Sequence, residues 1–154
     1  MTGFLADAML GRLARWLRAI GCDTAQLPVH VPDAEVVALA RREDRVLLTR
    51  DRHLLRELRP PRGFEVRSDE PLEQLRSVVA AFGIARPAAF FTRCLVDNTP
   101  LVEVARSDVA DRIPPLAREL PGPVFQCTAC ERVYWRGSHA RRMEHILEEV
   151  FPQH

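Results

Sequence analysis

Apolar positions in the first half of the chain alternate between short unbroken runs and longer stretches with helical spacing. Gly3-Phe4-Leu5-Ala6 reads as a short buried strand. Leu10, Leu13, Ala14, Leu17 and Ile20 then fall on one helical face, with Arg12, Arg15 and Arg18 on another and Gly21 as the stop. Gly11 inside that helix costs roughly 1 kcal/mol relative to Ala, which predicts a close backbone approach there. Residues 23–29 give a weaker second strand. Pro32-Asp33 opens a helix carrying Val36, Val37, Leu39 and Ala40. Arg45-Val46-Leu47-Leu48-Thr49 reads as a buried strand, followed by a short helix through Leu54, Leu55 and Leu58 that stops before Pro60-Pro61. Phe64-Glu65-Val66-Arg67 gives a fourth strand. Ser68-Asp69-Glu70-Pro71 leads into a helix with Leu72, Leu75, Val78, Val79 and Phe82 inward. This alternation predicts an α/β domain over residues 1–87, with a mostly parallel sheet flanked by helices.

After Pro87 the pattern breaks down. Residues 90–137 hold three of the four Cys, several Pro and few helical stretches, and residues 138–150 read as a last helix. A small subdomain over residues 88–154, organised by metal or by loops, is the expectation.

Charge adds little. The 22 basic residues, all Arg, nearly cancel 21 acids. Residues 1–87 carry 14 Arg against 12 acids and the remainder 8 against 9, so neither part is a basic arm for nucleic acid. No apolar run is long enough for a membrane span, and no signal-peptide pattern opens the chain. Cytoplasmic location follows as an expectation. In a reducing compartment, paired thiols hold metal more often than they form disulfides.

The candidate chemistry lies in the acids. Asp7, Asp33, Asp51 and Asp69 each stand at the head of a helical stretch, where Asp caps the first turn for about 1 kcal/mol. In a parallel sheet the same positions meet at the carboxyl edge of the strands. Clustered carboxylates repel unless cations neutralise them, and hard oxygen donors favour Mg²⁺ or Mn²⁺. That set predicts a metal-dependent hydrolase acting on phosphodiesters, with Asp7, Asp33 and Asp51 as ligands. Capping and ligation remain compatible readings of the same side chains. Arg12, Arg15, Arg50 and Arg52 are either solvated surface charges or phosphate contacts beside the acids. Thr49 either orients a carboxylate or packs at a strand end, and His53 is either a base or an exposed residue at a helix start.

Cys127-Thr128-Ala129-Cys130 has the spacing of a zinc knuckle, and Cys94-Leu95-Val96-Asp97 repeats it with Asp in the fourth place. Three Cys and one Asp make a candidate Zn²⁺ site, the alternative being a metal-free loop region with buried thiols. His139 is a substitute ligand if the chain folds back, whereas Cys22 reads as a small core residue. Tyr134 and Trp135, beside the second knuckle, either stack on a base or pack on the subdomain, with Arg141 and Arg142 extending the same patch.

Several of these segments resemble the Mut-seven C-terminal RNase domain family. They are Phe4-Leu5-Ala6-Asp7-Ala8-Met9-Leu10-Gly11-Arg12-Leu13-Ala14-Arg15-Trp16-Leu17-Arg18, Leu48-Thr49-Arg50-Asp51-Arg52, Phe91-Thr92-Arg93-Cys94, Asn98-Thr99-Pro100-Leu101 and Tyr134-Trp135-Arg136-Gly137-Ser138-His139. The resemblance spans nearly the whole chain. It implies a PIN-like nuclease fold with an appended zinc ribbon, and RNA cleavage by acids at the sheet edge to 5′-phosphate and 3′-hydroxyl products. Asp7 and Asp51 match the family motifs directly, Asp33 by its place at the head of the second helix, and Asp69 within a matching Ser-Asp-Glu-Pro stretch. Asp97 stands where the family pattern has a Cys. Two rival readings accompany this one: a non-catalytic RNA- or protein-binding module built on the ribbon, and a toxin-type nuclease controlled by a partner protein.

Overall fold

The computed structural model describes residues 2–151. Strands β1 (Gly3–Ala6), β2 (Thr24–Gln26), β3 (Arg45–Thr49) and β4 (Gly63–Glu65) form a four-stranded sheet in the order β2-β1-β3-β4, with every pairing parallel. Alternate strand residues face opposite sides. Phe4, Ala6, Val46 and Leu48 join Leu13, Ala14 and Leu17 of α1 (Gly11–Ala19) and Leu75, Val78 and Val79 of α4 (Pro71–Phe82) in the larger core. Leu5 and Leu47 face the other way, onto Val36, Val37 and Ala40 of α2 (Asp33–Arg42) and Leu54 of α3 (Arg52–Leu58). The α/β architecture with a parallel sheet and flanking helices is therefore the one expected.

Two local expectations change. The fourth strand begins at Gly63, where a Cβ would come within 2.6 Å of the Leu55 side chain and 2.9 Å of Pro60, so the close approach belongs here. At Gly11 a Cβ would meet only the Gln26 amide at 3.4 Å, an ordinary contact, and no tight backbone approach exists.

Beyond Pro87 the chain forms a second, antiparallel sheet of β5 (Leu101–Val104), β6 (Val124–Cys127) and β7 (Val133–Tyr134). Two 3-10 segments, Arg106–Arg112 and Pro115–Ala117, lie between β5 and β6, and Val109, Ile113 and Val124 make a small core beneath them. These strands were not foreseen, because they are short and half-exposed and carry no clear alternation. The last helix, α5 (Ser138–Glu148), returns to the parallel sheet. Met143 and Leu147, with Val150 and Phe151, enter the same core as α1 and α4.

Polar clamps join the two parts. Arg18 is 6% exposed and donates to the backbone carbonyls of Thr24, Leu95 and Val96. It therefore leaves the solvent-facing arginine stripe expected on α1. Asn98 accepts from the Thr24 N–H at 2.9 Å and donates to Asp23, which also pairs with Arg45 at 2.9 Å. Burial pushes the Asp23 carboxyl up, but the Asn98 amide and the Arg45 guanidinium outweigh it and hold it below the usual carboxylate range. No helix among the described residues is long and apolar enough to cross a membrane.

Leu147→Ala is expected to cost about 2–5 kcal/mol through the cavity it leaves in the shared core, read by urea unfolding. Asp23 has a folded pKa below its unfolded value of about 3.9. Its stabilisation is complete above that value and lost as pH falls through the folded one. The stability difference between wild type and Asp23→Asn should therefore narrow on acidification below about pH 4, measured by unfolding across a pH series.

Candidate active site and metal centre

The strand order sets the position of the acid site. β1 leads to α1 on one face of the sheet, and its neighbour β3 leads to α3 on the other. Outgoing connections that diverge in this way leave a crevice at the carboxyl edge, the usual ligand position in open α/β sheets. Asp7 follows β1 and Asp51 follows β3, so the two acids flank that crevice.

Thr49 ties them together. Its buried hydroxyl donates to Asp7 Oδ2 at 2.5 Å and accepts from the Asp51 backbone N–H at 3.0 Å. Asp7 Oδ1 accepts from the Met9 N–H at 2.8 Å, capping the 3-10 turn Ala8–Leu10 before α1. Asp51 Oδ1 accepts from the Leu54 N–H at 3.0 Å and caps α3. Both acids are thus caps and edge carboxylates at once. Of the two readings of Thr49, the structure selects the orienting one.

Asp33 and Asp69 behave differently. Asp33 is the first residue of α2, exposed, and its side chain caps nothing. Asp69 is exposed, and the cap of α4 is Glu70, which accepts from the Leu72 and Glu73 N–H groups at 3.1 Å. Capping is thus corrected for both, because Asp33 lies inside the first turn of α2, after the N-cap Pro32, and Glu70 rather than Asp69 directly precedes Pro71. Both still follow the carboxyl edge, Asp33 at the head of α2 after β2 and Asp69 on the loop after β4. Among the described residues, Asp7, Asp33 and Asp51 do not bring three donor oxygens within 4.8 Å of one another.

The arginines separate by role. Arg12 and Arg15 are exposed on α1. Arg50 donates to the Arg67 carbonyl at 3.3 Å, and Arg52 pairs with Glu65 at 3.1 Å. His53 is exposed at the start of α3, and Cys22 is buried, as expected of a small core residue.

The cysteine knuckles repeat one another bond for bond. Asn98 N–H donates to the Cys94 carbonyl and Glu131 N–H to the Cys127 carbonyl; Cys94 N–H donates to Thr99, and Cys127 N–H to Arg132. Asn98 and Glu131 each take a left-handed φ, 74° and 65°. Asp97 therefore occupies in the first knuckle the place Cys130 holds in the second. Ligand atoms of Cys94, Asp97, Cys127 and Cys130 all lie within 4.8 Å of one another. The Cys94 and Cys130 sulfurs are 3.7 Å apart, and Cys127 Sγ lies 3.3 Å from Asp97 Oδ2. Tetrahedral zinc, with bonds of about 2.3 Å to sulfur and about 2.0 Å to oxygen, calls for separations of about 3.8 and 3.5 Å. The group could hold a metal such as zinc, and the donor set fits. His139 is exposed and lies outside it.

The surroundings favour the ionised form of Asp97 and Cys94 but not of Cys130, where the Arg132 amide is outweighed by burial and by hydrogen bonds with Asp97, Cys127 and Cys94 that push the thiol up to about 11. Burial pushes Asp97 up, but hydrogen bonds from the Thr99 N–H and hydroxyl and from the thiols of Cys127 and Cys130 hold it well below the usual carboxylate range. Burial likewise raises Cys94, yet the Tyr134 hydroxyl at 3.1 Å and the Asp97 and Val96 amides bring it below an ordinary thiol. Tyr134 also accepts from the Leu95 N–H at 3.1 Å, and its ring packs against the main core. The hydroxyl of Tyr134 thus serves the knuckle, a role its sequence neighbours do not signal.

Taken together, the molecule is an α/β domain with an acid-flanked switch-point crevice, joined to a two-knuckle subdomain with a metal-competent cluster. The chain belongs to the Mut7-C RNAse domain family, whose sequence model matches residues 2–147. That membership suggests a nuclease-type function with RNA as substrate. Comparison with curated proteins and with solved structures gives no match.

Tyr134→Phe should leave the four ligands in place but weaken metal binding about 10-fold or more, measured by competition with a chromophoric chelator.

Proposed function

We propose that the chain is a metal-dependent ribonuclease that hydrolyses RNA phosphodiesters at the crevice between β1 and β3. The observation that carries this reading is the Thr49 hydroxyl, which holds the Asp7 carboxylate and the backbone of Asp51 in one hydrogen-bonded unit. An acid that only capped a helix would need no such partner across the strand pair.

Asp7 and Asp51 offer hard oxygen donors suited to Mg²⁺ or Mn²⁺, and Asp33 is the third candidate ligand. Mg²⁺ commonly takes one or two carboxylates and keeps water and phosphate oxygens as its other ligands, so a site on Asp7 and Asp51 does not require Asp33 to close on the same point. A divalent cation held there would acidify a water and neutralise the charge developing on the phosphoryl oxygens. Thr49 keeps Asp7 in one rotamer and leaves its carboxylate an acceptor. The capping amides of Met9 and Leu54 hold the two carboxylates from the helix side. Arg12, near the start of α1, and Arg50, next to Asp51 in sequence, supply positive charge for the phosphates entering the crevice, whereas Arg52 is already committed to Glu65. Asp69 has a place at the same edge as an outer carboxylate. Zn²⁺ in the knuckle cluster would serve the fold of the subdomain, apart from this chemistry.

Cleavage of a labelled RNA set, with no added divalent cation and then with Mg²⁺ or Mn²⁺, tests the reading. Asp7→Asn should reduce cleavage to background with near-native thermal stability. Thr49→Val, which removes the orienting hydroxyl but keeps the shape, should lower the rate about 10–100-fold. Full activity in Asp7→Asn would place the chemistry elsewhere.

A further inference from the structure

A cleft of about 480 Å³ lies between α1 and the knuckle subdomain, apart from the carboxylate crevice. Its volume falls within the usual span of small-ligand sites. Arg15 from α1, Arg112 from the 3-10 segment and Arg132 from the turn before β7 all line it, with Glu131, Tyr134 and Trp135. Three arginines from segments far apart in sequence thus line one cleft with a single acidic residue. Arg112 already pairs with Glu131, at 3.6 Å. Arg15 and Arg132 hold no ion pair among the described residues.

The walls are fixed before any ligand arrives. Arg18, one turn beyond Arg15, is clamped to the carbonyls of Leu95 and Val96, which also line the cleft. Trp135 is half-buried against the small core of Val109, Ile113 and Val124. Gly137 leaves room for its indole, since a Cβ there would come within 2.9 Å of Nε1. A rigid aromatic beside unpaired guanidinium groups can stack a base and hold a phosphate.

We propose that this cleft anchors one unpaired nucleotide of the RNA strand, its phosphate on Arg15 and Arg132 and its base against Trp135. Arg12 and Arg15 lie on one face of α1, so they mark a track from the head of that helix, beside Asp7, to the cleft. Eight residue steps run from Asp7 to Arg15, through the 3-10 turn Ala8–Leu10 and the first five residues of α1, roughly 13 Å at the usual rises, so the anchored nucleotide sits away from the scissile bond. A base within a duplex is stacked and paired, and cannot enter a pocket of this size. The substrate class is therefore RNA with a single-stranded segment. The choice of RNA rests on the nuclease reading, but occupation of the cleft does not require catalysis.

The test is equilibrium binding of a fluorescent ten-residue oligouridylate to the Asp7→Asn protein without added Mg²⁺ or Mn²⁺, so that no strand is cut. Adding Arg132→Ala or Arg15→Ala should weaken binding about tenfold and lower the slope of log affinity against log salt by about one. Trp135→Leu should weaken it comparably without changing that slope. A blunt RNA duplex and an oligoglutamate peptide should compete poorly. Unchanged affinity and slope in the arginine variants, with native melting temperatures, would overturn the proposal. So would equal competition by the duplex, or by the peptide, which would mark an acidic protein partner instead. The two readings fail separately. Normal binding by the arginine variants beside an inactive Asp7→Asn would remove the cleft and leave the nuclease. Cleft-dependent binding by a wild type that cuts no RNA with either metal would do the reverse.

Discussion

The parallel pairing of β1 with β3 is the constraint on which the acid site depends. With Ala6 opposite Leu48, the next residues, Asp7 and Thr49, stand side by side where both strands end. A slip of one residue would turn Thr49 away and put Leu48 or Arg50 beside the carboxylate. Burial secures the register, because Phe4, Ala6, Val46 and Leu48 must face one core while Leu5 and Leu47 face the other. The hydrophobic pattern of two short strands thus also aligns a hydroxyl with a carboxylate.

A second dependence runs between the two sheets. The knuckle subdomain has only a small core of its own. It is held by contacts that use the nuclease-like part as a wall: Arg18 on the Leu95 and Val96 carbonyls, Asn98 on Thr24 and Asp23, and α5 buried in the main core. Asn98 serves both sides, since its left-handed φ completes the first knuckle while its amide pins β2. Burying a guanidinium is costly without acceptors. Arg18 meets that cost with three carbonyls, which makes the position of α1 against the knuckle specific.

Much of the first 87 residues was legible because strand runs and helical spacing are local signals. Gly3–Ala6 and Arg45–Thr49 fall where the pattern puts them, as does the start of α2 at Asp33. The caps at Asp69 and Asp33 were misread because neighbouring acids and Pro compete for the cap, and only the backbone turn decides among them. The antiparallel sheet was missed because its strands are stabilised by pairing with distant partners, which half-exposed positions do not advertise. Arg112 carried no local mark at all.

The sequence alone determined the α/β class, the two knuckle spacings and the family motifs around Asp7 and Asp51, since each is written in residues close together along the chain. Tertiary structure decided which of those residues meet. It joined Asp7 to Asp51 through Thr49, buried Arg18 while leaving Arg15 free, and turned Tyr134 from a stacking candidate into a hydrogen-bond partner of Cys94. The physical reason is that a side chain's role depends on what lies opposite it. That is set by strand register and by the docking of α1 and α5, neither of which any short stretch of sequence encodes.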